Sequence, residues 1–233
     1  MQAVIMAAGK GSRLGELTKD KPKSFVEIQD IKLIEYNLAM LHKYGIEDIY
    51  IVTGYMNERF EALTSNDDNI TCVFNPFFES VNVLGSFYMV QDKVEDDFVY
   101  LHADTLCDPY IFEKMISIEG DMVLPVDFRP CDEEAMKVKT SEGKVVLINK
   151  TMSLEDGEGE FIGMAKISKN VLPELKEASK QLMKEKDFTS YFEGAIQRMI
   201  DVYHPNIVTI PTEGKFWGEI DFLEDYEDRK SVV

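Results

Sequence analysis

Residues Met6 to Phe25 read MAAGKGSRLGELTKDKPKSF and carry the clearest local pattern in the chain. It continues an apolar run, Ala3 to Ala8, which predicts a buried strand that ends in a glycine-rich turn. Glycine lets a backbone approach an anion closely, and the free N–H groups of such a turn donate to phosphate oxygens. The sequence therefore predicts a phosphate-binding loop, although a solvated surface turn is the alternative for the glycines alone.

Two familiar phosphate-binding motifs do not fit the turn. The Walker A motif needs Ser or Thr after its Gly-Lys pair, and here Gly11 follows Lys10. The dinucleotide fingerprint G-x-G-x-x-G starts at Gly9 but has Leu14 at its third glycine position. The sequence therefore predicts a phosphate loop of another kind.

A cationic segment, Lys21-Pro22-Lys23, follows the turn. Pro22 fixes its own φ angle and restricts Lys21, so the segment is expected to be extended. Such a segment can fold back over a polyphosphate and bring ammonium groups to the phosphates. The combination of strand, turn and cationic segment favours phosphate binding over a solvated turn.

The rest of the chain is acidic, which limits its partners. The 233 residues carry a net charge of -18, which argues against a general nucleic-acid binder but not against a small anionic ligand held by a local field. We expect no membrane insertion, because no stretch approaches the roughly 20 apolar residues of a membrane helix. Three cysteines without C-x-x-C spacing predict neither a disulfide framework nor a zinc site. A soluble, cytoplasmic protein is expected.

Strands alternate with helices up to residue 127, which predicts βαβ units. Beyond it we expect two strands at 135–149, a loop at 151–160, a strand over FIGMAKIS at 161–168, and helices at 170–184 and 188–202. The predicted fold is a three-layer α/β sandwich with a mostly parallel, twisted central sheet.

Three motifs resemble the sugar-phosphate and related nucleotidyltransferases, which transfer a nucleoside monophosphate from a triphosphate to a phosphorylated acceptor. The motifs are A-A-G-x-G-[ST]-R-L at 7–14 with K-P-K at 21–23, HAD at 102–104, and FWGEID at 216–221. The resemblance spans the chain and implies a Rossmann-like nucleotidyltransferase fold. We expect one domain over 1–233, with a nucleotide-binding half at 1–110 and an acceptor-binding half at 111–233.

The resemblance implies that the turn and the cationic segment hold the nucleoside triphosphate, through Ala7, Ala8, Gly9, Gly11, Ser12, Arg13 and Lys23. The backbone of the first three lies beside the nucleobase, and the others hold the phosphates. Arg13 and Lys23, together with Asp104, are the expected catalytic residues. Charge grows on the α-phosphorus and on the leaving pyrophosphate, so positioned cations and N–H donors lower the barrier.

Magnesium is the implied cofactor, and Asp104 is its implied ligand. Mg²⁺ is a hard ion that uses one or two carboxylates together with substrate phosphates. Asp221 of the E-I-D sequence is the expected second ligand, and Glu219 is its rival. The alternative for Asp104 is a helix cap of the kind that Asp108 would provide before Pro109.

The segment NVLGSFYMV, residues 82–90, lacks the sugar-enzyme pattern and resembles bacterial choline-phosphate cytidylyltransferases. Asn82, Gly85 and Ser86 are expected to contact the edge of a pyrimidine. The E-I-D ending and the short chain also resemble cytidylyltransferases that act on small phosphorylated or phosphonate acceptors. CTP is therefore the favoured donor.

Three residues are candidates for binding the acceptor. Lys150, at the end of VVLINK, occupies the place of a family lysine for the acceptor phosphate, and an exposed strand-end lysine is the alternative. Tyr191 and Trp217 would form an aromatic cage around a cationic acceptor, and core packing is the alternative. Phe192 and Tyr203 are also available for such a cage. The resemblance to surface-decoration enzymes implies a place in cell-surface polysaccharide biosynthesis.

Two other functions stay open. A sugar-1-phosphate nucleotidyltransferase would use UTP, dTTP or GTP, and a non-catalytic module would bind a nucleotide without turnover. Both aspartates and both lysines of K-P-K are present, which argues against the non-catalytic module. A dinucleotide-dependent oxidoreductase is disfavoured, because the third glycine is missing and the second strand ends at Thr53-Gly54 without an acidic residue.

Overall fold

The computed structural model describes residues 1–230. The strands of this part of the chain are β1 (Gln2–Ala7), β2 (Glu27–Ile28), β3 (Ile31–Lys32), β4 (Asp48–Thr53), β5 (Ile70–Phe74), β6 (Phe98–His102), β7 (Thr105–Cys107), β8 (Met122–Asp127), β9 (Lys137–Ser141), β10 (Lys144–Asn149), β11 (Gly159–Phe161), β12 (Met164–Ile167), β13 (Ile207–Pro211) and β14 (Trp217–Glu219). The α-helices are α1 (Leu33–Lys43), α2 (Asn57–Thr64), α3 (Val83–Val90), α4 (Pro109–Ser117), α5 (Leu172–Lys184), α6 (Phe192–Tyr203) and α7 (Leu223–Lys230). Short 3₁₀ helices occupy Ser12–Thr18, Lys23–Phe25, Gln91–Lys93 and Lys169–Val171.

Ten strands form one mixed sheet in the order β11-β9-β10-β13-β8-β12-β6-β1-β4-β5. The four strands β6, β1, β4 and β5 are parallel, as are β8 and β13. Antiparallel pairs join these two parallel blocks through β12 and extend the sheet at the β9–β11 end. The strands β7 and β14 form a separate antiparallel pair, and so do β2 and β3.

Helices cover both faces of the sheet. On β1, Val4 and Met6 point to one face and pack with residues of α3, α5 and α6. Ala3 and Ile5 point to the other face and pack with residues of α1, α2 and α4. A central strand buried on both sides reads as a continuous apolar run, which is why Ala3 to Ala8 shows no alternation. The predicted α/β sandwich is confirmed.

The register of β1 determines where the glycine turn lies. Met6 pairs with Val52 of β4 on one side and with His102 of β6 on the other. Just beyond these pairs, the N–H of Ala103 donates to the carbonyl of Met6 at 3.1 Å. The turn after Ala7 therefore emerges beside the end of β6, where Asp104 follows.

Two predicted elements differ from the structure. The run FIGMAKIS was expected to be one strand, but it is divided between β11 and β12 at Gly163, which has a φ of +75°. The helix expected over 188–202 begins only at Phe192, because Tyr191 before it has an extended backbone. Both differences bear on the site, since Gly163 and the start of α6 border it.

Candidate active site

A cleft of about 750 Å³ opens at the carboxyl ends of β1 and β6 and reaches the strands and helices of the second half. Its lining includes most of the residues that the sequence predicts for the site: Ala7, Ala8, Gly9, Gly11, Ser12, Arg13, Lys23, Asn82, Ser86, Asp104, Lys150, Tyr191, Trp217, Glu219 and Asp221. Residues that are far apart in the sequence therefore meet around one space.

In the glycine turn, Gly11 leaves room for the Lys23 side chain. Gly11 has a φ of +66°, and a Cβ atom there would lie 2.6 Å from Cβ of Lys23. Thr18 closes the turn by donating its hydroxyl to the carbonyl of Gly11 at 2.9 Å. Beyond the turn, the Arg13 guanidinium lies 5.2 Å from the ring centroid of Phe222. The requirement for glycine at position 11 is therefore steric as well as conformational.

Lys23 lies between two carboxylates. Its ammonium forms ion pairs with both Asp104 and Asp221, and its side chain is only 15% exposed. Burial by itself lowers the pKa of Lys23, but the two carboxylates outweigh burial and raise it. Burial would raise the pKa of Asp104, but Lys23 and then His102 outweigh it and lower that pKa. Lys23 and Asp104 are therefore both charged at neutral pH.

The carboxylates around Lys23 fit a magnesium ion. Asp104 and Asp221 already converge on one cation, the Lys23 ammonium, and carboxylate oxygens are the donors that Mg²⁺ prefers. Glu219 is also close, because ligand atoms of His102, Asp104 and Glu219 lie within 4.8 Å of one another. Glu219 and Asp221 therefore both border the expected magnesium position, and the choice between them as second ligand stays a prediction.

His102 is a site residue that the sequence did not identify. Its Nδ1 lies 3.1 Å from Oε1 of Glu219, and its Nε2 lies 3.0 Å from the hydroxyl of Tyr100. Burial lowers the pKa of His102, but the hydrogen bond and charge of Glu219 raise it to about 9. A protonated His102 would hold Glu219 in place beside Asp104. The signal was available in HAD, where the histidine immediately precedes the Ala-Asp pair.

Gly163 is a second residue that the sequence did not identify. A Cβ atom at this position would lie 2.6 Å from Oε1 of Glu219 and 2.7 Å from Nδ1 of His102. The carbonyl of Gly163 also accepts a hydrogen bond from the His102 N–H at 2.9 Å. The glycine therefore makes room for the His102–Glu219 pair. Its positive φ is the physical reason that the predicted strand breaks here.

The residues predicted to contact the pyrimidine also make contacts within the protein. Gly85 is not among the cleft-lining residues, because it packs against Val81, whose Cβ would lie 2.5 Å from a Cβ at position 85. Asn82 caps α3, accepting from the Val83 N–H at 2.8 Å. Ser86 lines the cleft, but its hydroxyl accepts from the side-chain amide of Asn75 at 3.0 Å. The close approach of Val81 therefore accounts for a glycine at position 85, and the base contacts of Gly85, Asn82 and Ser86 stay predictions.

The predicted acceptor residues Lys150, Tyr191 and Trp217 line the same cleft, and we call this part of it the acceptor wall. The Lys150 ammonium lies 5.2 Å from the ring centroid of Tyr191, and the Arg129 guanidinium lies 5.4 Å from that of Trp217. The indole N–H of Trp217 donates to Asp127 at 2.7 Å. One face of each ring is thus covered by a cation of the protein itself.

Two further carboxylates lie on this acceptor wall, and the sequence analysis did not select either. Glu193 of α6 is 2% exposed, and burial raises its pKa. Burial, together with the nearby carboxylates of Glu219 and Asp132, raises the pKa of Glu160 to about 7. The acceptor wall therefore gathers carboxyl groups whose ionised forms are disfavoured by burial and by one another.

Comparison with known proteins identifies the family. Residues 2–119 match the family model described as nucleotidyl transferase. The chain belongs to this family. It is 28% identical to the CTP:phosphoglutamine cytidylyltransferase of Campylobacter jejuni over 97% of this chain and 98% of that protein. It is 36% identical to the choline-phosphate cytidylyltransferase of Streptococcus pneumoniae over 49% of this chain and 48% of that protein.

The three-dimensional likeness covers the nucleotidyl transferase chain from end to end. The structure of CTP:phosphocholine cytidylyltransferase from Streptococcus pneumoniae superposes with a TM-score of 0.83 over 99% of this chain and 98% of that one, at 23% identity. At this identity the likeness shows the fold. In addition, none of the helices within residues 1–230 has the length and apolar character needed to cross a membrane.

Proposed function

We propose that this nucleotidyl transferase moves CMP from CTP to an oxygen of a small phosphorylated or phosphonate acceptor and releases pyrophosphate. One observation carries the proposal: Lys23 lies between Asp104 and Asp221, beside the glycine turn. A phosphate loop thus shares its space with a buried cation and two carboxylates. The similarity to two relatives that are named as cytidylyltransferases supports CTP as the donor.

The reaction needs no nucleophile from the protein. An acceptor phosphate or phosphonate oxygen is anionic at neutral pH and attacks the α-phosphorus. A new oxygen–phosphorus bond forms, while the bond from the α-phosphorus to the bridging oxygen of pyrophosphate breaks. Negative charge accumulates on the leaving pyrophosphate, and Lys23, Arg13 and the N–H groups of the turn stabilise it. Catalysis is then mainly positioning and electrostatics.

The proposed cofactor is Mg²⁺, held by Asp104 and Asp221, with Glu219 as the alternative to Asp221. When bound, the ion would neutralise charge on the phosphate oxygens. His102 holds Glu219, and Gly163 leaves space for both. A cytoplasmic location and a role in cell-surface polysaccharide biosynthesis are also proposals, and they depend on the sequence resemblance.

Pyrophosphate release tests the proposal. The enzyme is supplied with Mg²⁺ and with CTP, UTP, GTP, ATP or dTTP in turn, each with phosphorylated amines, amino acids and alditols, sugar 1-phosphates and phosphonates. We expect the fastest release with CTP and a non-sugar acceptor. Faster release with UTP or dTTP and a sugar 1-phosphate would instead indicate a sugar-nucleotide enzyme. Binding of CTP without release in any combination would indicate a non-catalytic module.

A further inference from the structure

Glu193 presents a carboxylate oxygen that lacks a protein partner. It lies in the first turn of α6, is 2% exposed and lines the cleft. Its Oε1 is buried and, among residues 1–230, has no hydrogen-bond partner. Such atoms are rare in folded proteins, because an unpaired buried carboxylate oxygen keeps its full desolvation penalty. Oε1 itself is shielded from solvent, so a small rotation of the Glu193 side chain has to accompany its pairing with a molecule in the cleft.

The nearby cations of the protein are engaged elsewhere. Both ring nitrogens of His102 have partners, namely Glu219 and Tyr100. The Lys150 ammonium lies 3.6 Å from Glu134 and over the ring of Tyr191. Although both cations act on Glu193 electrostatically, neither forms a hydrogen bond with its Oε1. A cationic donor fits this position, because it would stabilise the ionised carboxylate that burial disfavours and would suit the negative surroundings.

The aromatic side chains of this region favour a cation that carries N–H groups over a trimethylammonium group. A trimethylammonium group has no N–H and is held mainly by open aromatic faces. Here Lys150 covers one face of Tyr191, Arg129 covers one face of Trp217, and Phe192 stacks on Tyr100 with ring centroids 4.0 Å apart. A cation that donates hydrogen bonds satisfies the Glu193 oxygen, whereas a trimethylammonium group does not.

We propose that Oε1 of Glu193 accepts a hydrogen bond from a protonated amino group of the acceptor. The preferred acceptors are then small phosphates or phosphonates whose cationic end carries N–H, and quaternary ammonium compounds are poorer. This inference rests on the proposed nucleotidyl transfer and specifies the acceptor class. Glu193 is a specificity residue, since it contacts the end of the acceptor that does not react.

Three acceptors that differ at one end test the inference: 2-aminoethyl phosphate, its N,N,N-trimethyl analogue and ethyl phosphate. With CTP, the parent enzyme should show the highest kcat/KM for the amine. The Glu193→Gln variant should lose about 10- to 100-fold in kcat/KM for 2-aminoethyl phosphate, mainly through KM, because a charged hydrogen bond becomes a neutral one. Its kcat/KM for ethyl phosphate and its KM for CTP should change little.

Glu155→Gln is the matched control, because it removes one carboxylate from an exposed loop position outside the cleft lining. It should leave kcat/KM unchanged for all three acceptors. An equal loss for all three acceptors in Glu193→Gln would overturn the inference, as would a parent enzyme that prefers the trimethyl or ethyl compound.

Calorimetric binding of the same three compounds separates this inference from the proposed function. If no triphosphate yields pyrophosphate, the proposed reaction fails, but a preference for the amine that Glu193→Gln abolishes would still support the subsite. The same binding preference in the parent protein and the variant would contradict it. Thermal melting of both proteins checks that the variant is folded. If it is not, the ranking of the three compounds by the parent protein decides.

Discussion

The two walls of the cleft differ in how their charged side chains are paired. We call the glycine turn, Lys23, Asp104 and Asp221 the phosphate wall. There the Lys23 ammonium is paired with both carboxylates, and its pKa is raised while that of Asp104 is lowered. On the acceptor wall, Glu160 and Glu193 lie among other carboxylates, and both of their pKa values are raised. The charges of the phosphate wall are paired within the protein, whereas protein cations offset those of the acceptor wall only in part.

This difference predicts which charges each ligand must carry. A balanced group of charges is preorganised, so it needs little rearrangement at the moment of reaction. An unbalanced group of buried carboxylates is unfavourable until a counter-charge arrives, and it therefore selects a ligand that carries one.

Asp104→Asn should have the largest effect, because it removes both a proposed magnesium ligand and a partner of Lys23. We expect kcat to fall by about 10³-fold, equivalent to about 4 kcal/mol of barrier. Turnover is measured with CTP at several Mg²⁺ concentrations, with Asp221→Asn and Glu219→Gln run alongside to decide the second ligand.

Asp108→Asn is the control, since Asp108 caps α4 by accepting from the Tyr110 N–H at 2.9 Å, and Asn is an equally good cap. It should keep parental activity. If Asp104→Asn also keeps it at saturating Mg²⁺, Asp104 has no catalytic role and the contrast between the walls loses its basis.

Lys23→Met removes the cation from the phosphate wall and leaves Asp104 and Asp221 facing each other. We expect kcat to fall by about 10²- to 10³-fold, because Lys23 is assigned to charge that develops in the transition state. The KM for CTP should change less than kcat does. Lys21→Met tests the other lysine of the same segment and should have little effect. Equal losses in the two variants would mean that only the general positive charge of the segment matters.

The phosphate wall could be predicted from the sequence far better than the acceptor wall. Gly11, Lys23 and Asp104 follow from motifs at strand ends, and the carboxyl ends of adjacent parallel strands meet at one edge of a sheet. The Lys23 position is further set by local contacts with the glycine turn. These features are contiguous in the chain or depend on simple sheet topology.

The acceptor wall depends on tertiary packing that no local pattern reports. Glu193 was expected in the interior of a helix over 188–202, where a glutamate is usually solvated, but the helix begins at Phe192 and its first turn is buried. Glu160 alternates with buried neighbours on β11, and its environment comes from Glu219, more than fifty positions away in sequence. At Gly85 the glycine leaves room for the Val81 side chain, which lies just before α3, and its predicted contact with the base stays a prediction.

Gly163→Ala tests whether the two walls are joined at the His102–Glu219 pair. The added Cβ would crowd Glu219 and His102, and the φ of +75° disfavours alanine. A displacement of about 1 Å near the reacting groups can cost about 10²-fold, so we expect kcat to fall by about 10- to 100-fold.

Gly143→Ala is the matched control, because Gly143 has a φ of +76° but no neighbouring atom within 4 Å of the added Cβ. Both variants should melt at a lower temperature than the parent, and only Gly163→Ala should lose turnover. If turnover is kept in Gly163→Ala, the pair is not required to hold the site.

Glu160→Gln should have the smallest effect, and it measures the imbalance of the acceptor wall directly. Burial raises the pKa of Glu160 first, followed by Glu219 and Asp132, with Asp127 also unfavourable and Arg129 opposing them. The folded protein holds this proton up to about pH 7, whereas the unfolded chain releases it near the ordinary value of 4.5. Ionisation therefore reduces stability as the pH rises through this window, and the reduction stays in place above it.

Glutamine cannot ionise, so Glu160→Gln should match the parent at pH 4.5 and exceed it at pH 8. One pKa unit is worth about 1.36 kcal/mol, so the difference between the folded and unfolded pKa values sets an upper limit of about 3 kcal/mol. The Glu160 side chain is 23% exposed, so solvent screening should reduce the gain to about 1 kcal/mol, or roughly 2–4 °C in melting temperature for a chain of this size. Glu158→Gln should behave in the opposite way, because Thr140 donates two hydrogen bonds to Glu158 and lowers its pKa. Melting curves at the two pH values, without Mg²⁺, give the comparison. If Glu160→Gln is no more stable than the parent at pH 8, the carboxylates of the acceptor wall are already balanced within the protein, and a bound amine would have no unfavourable charge to relieve.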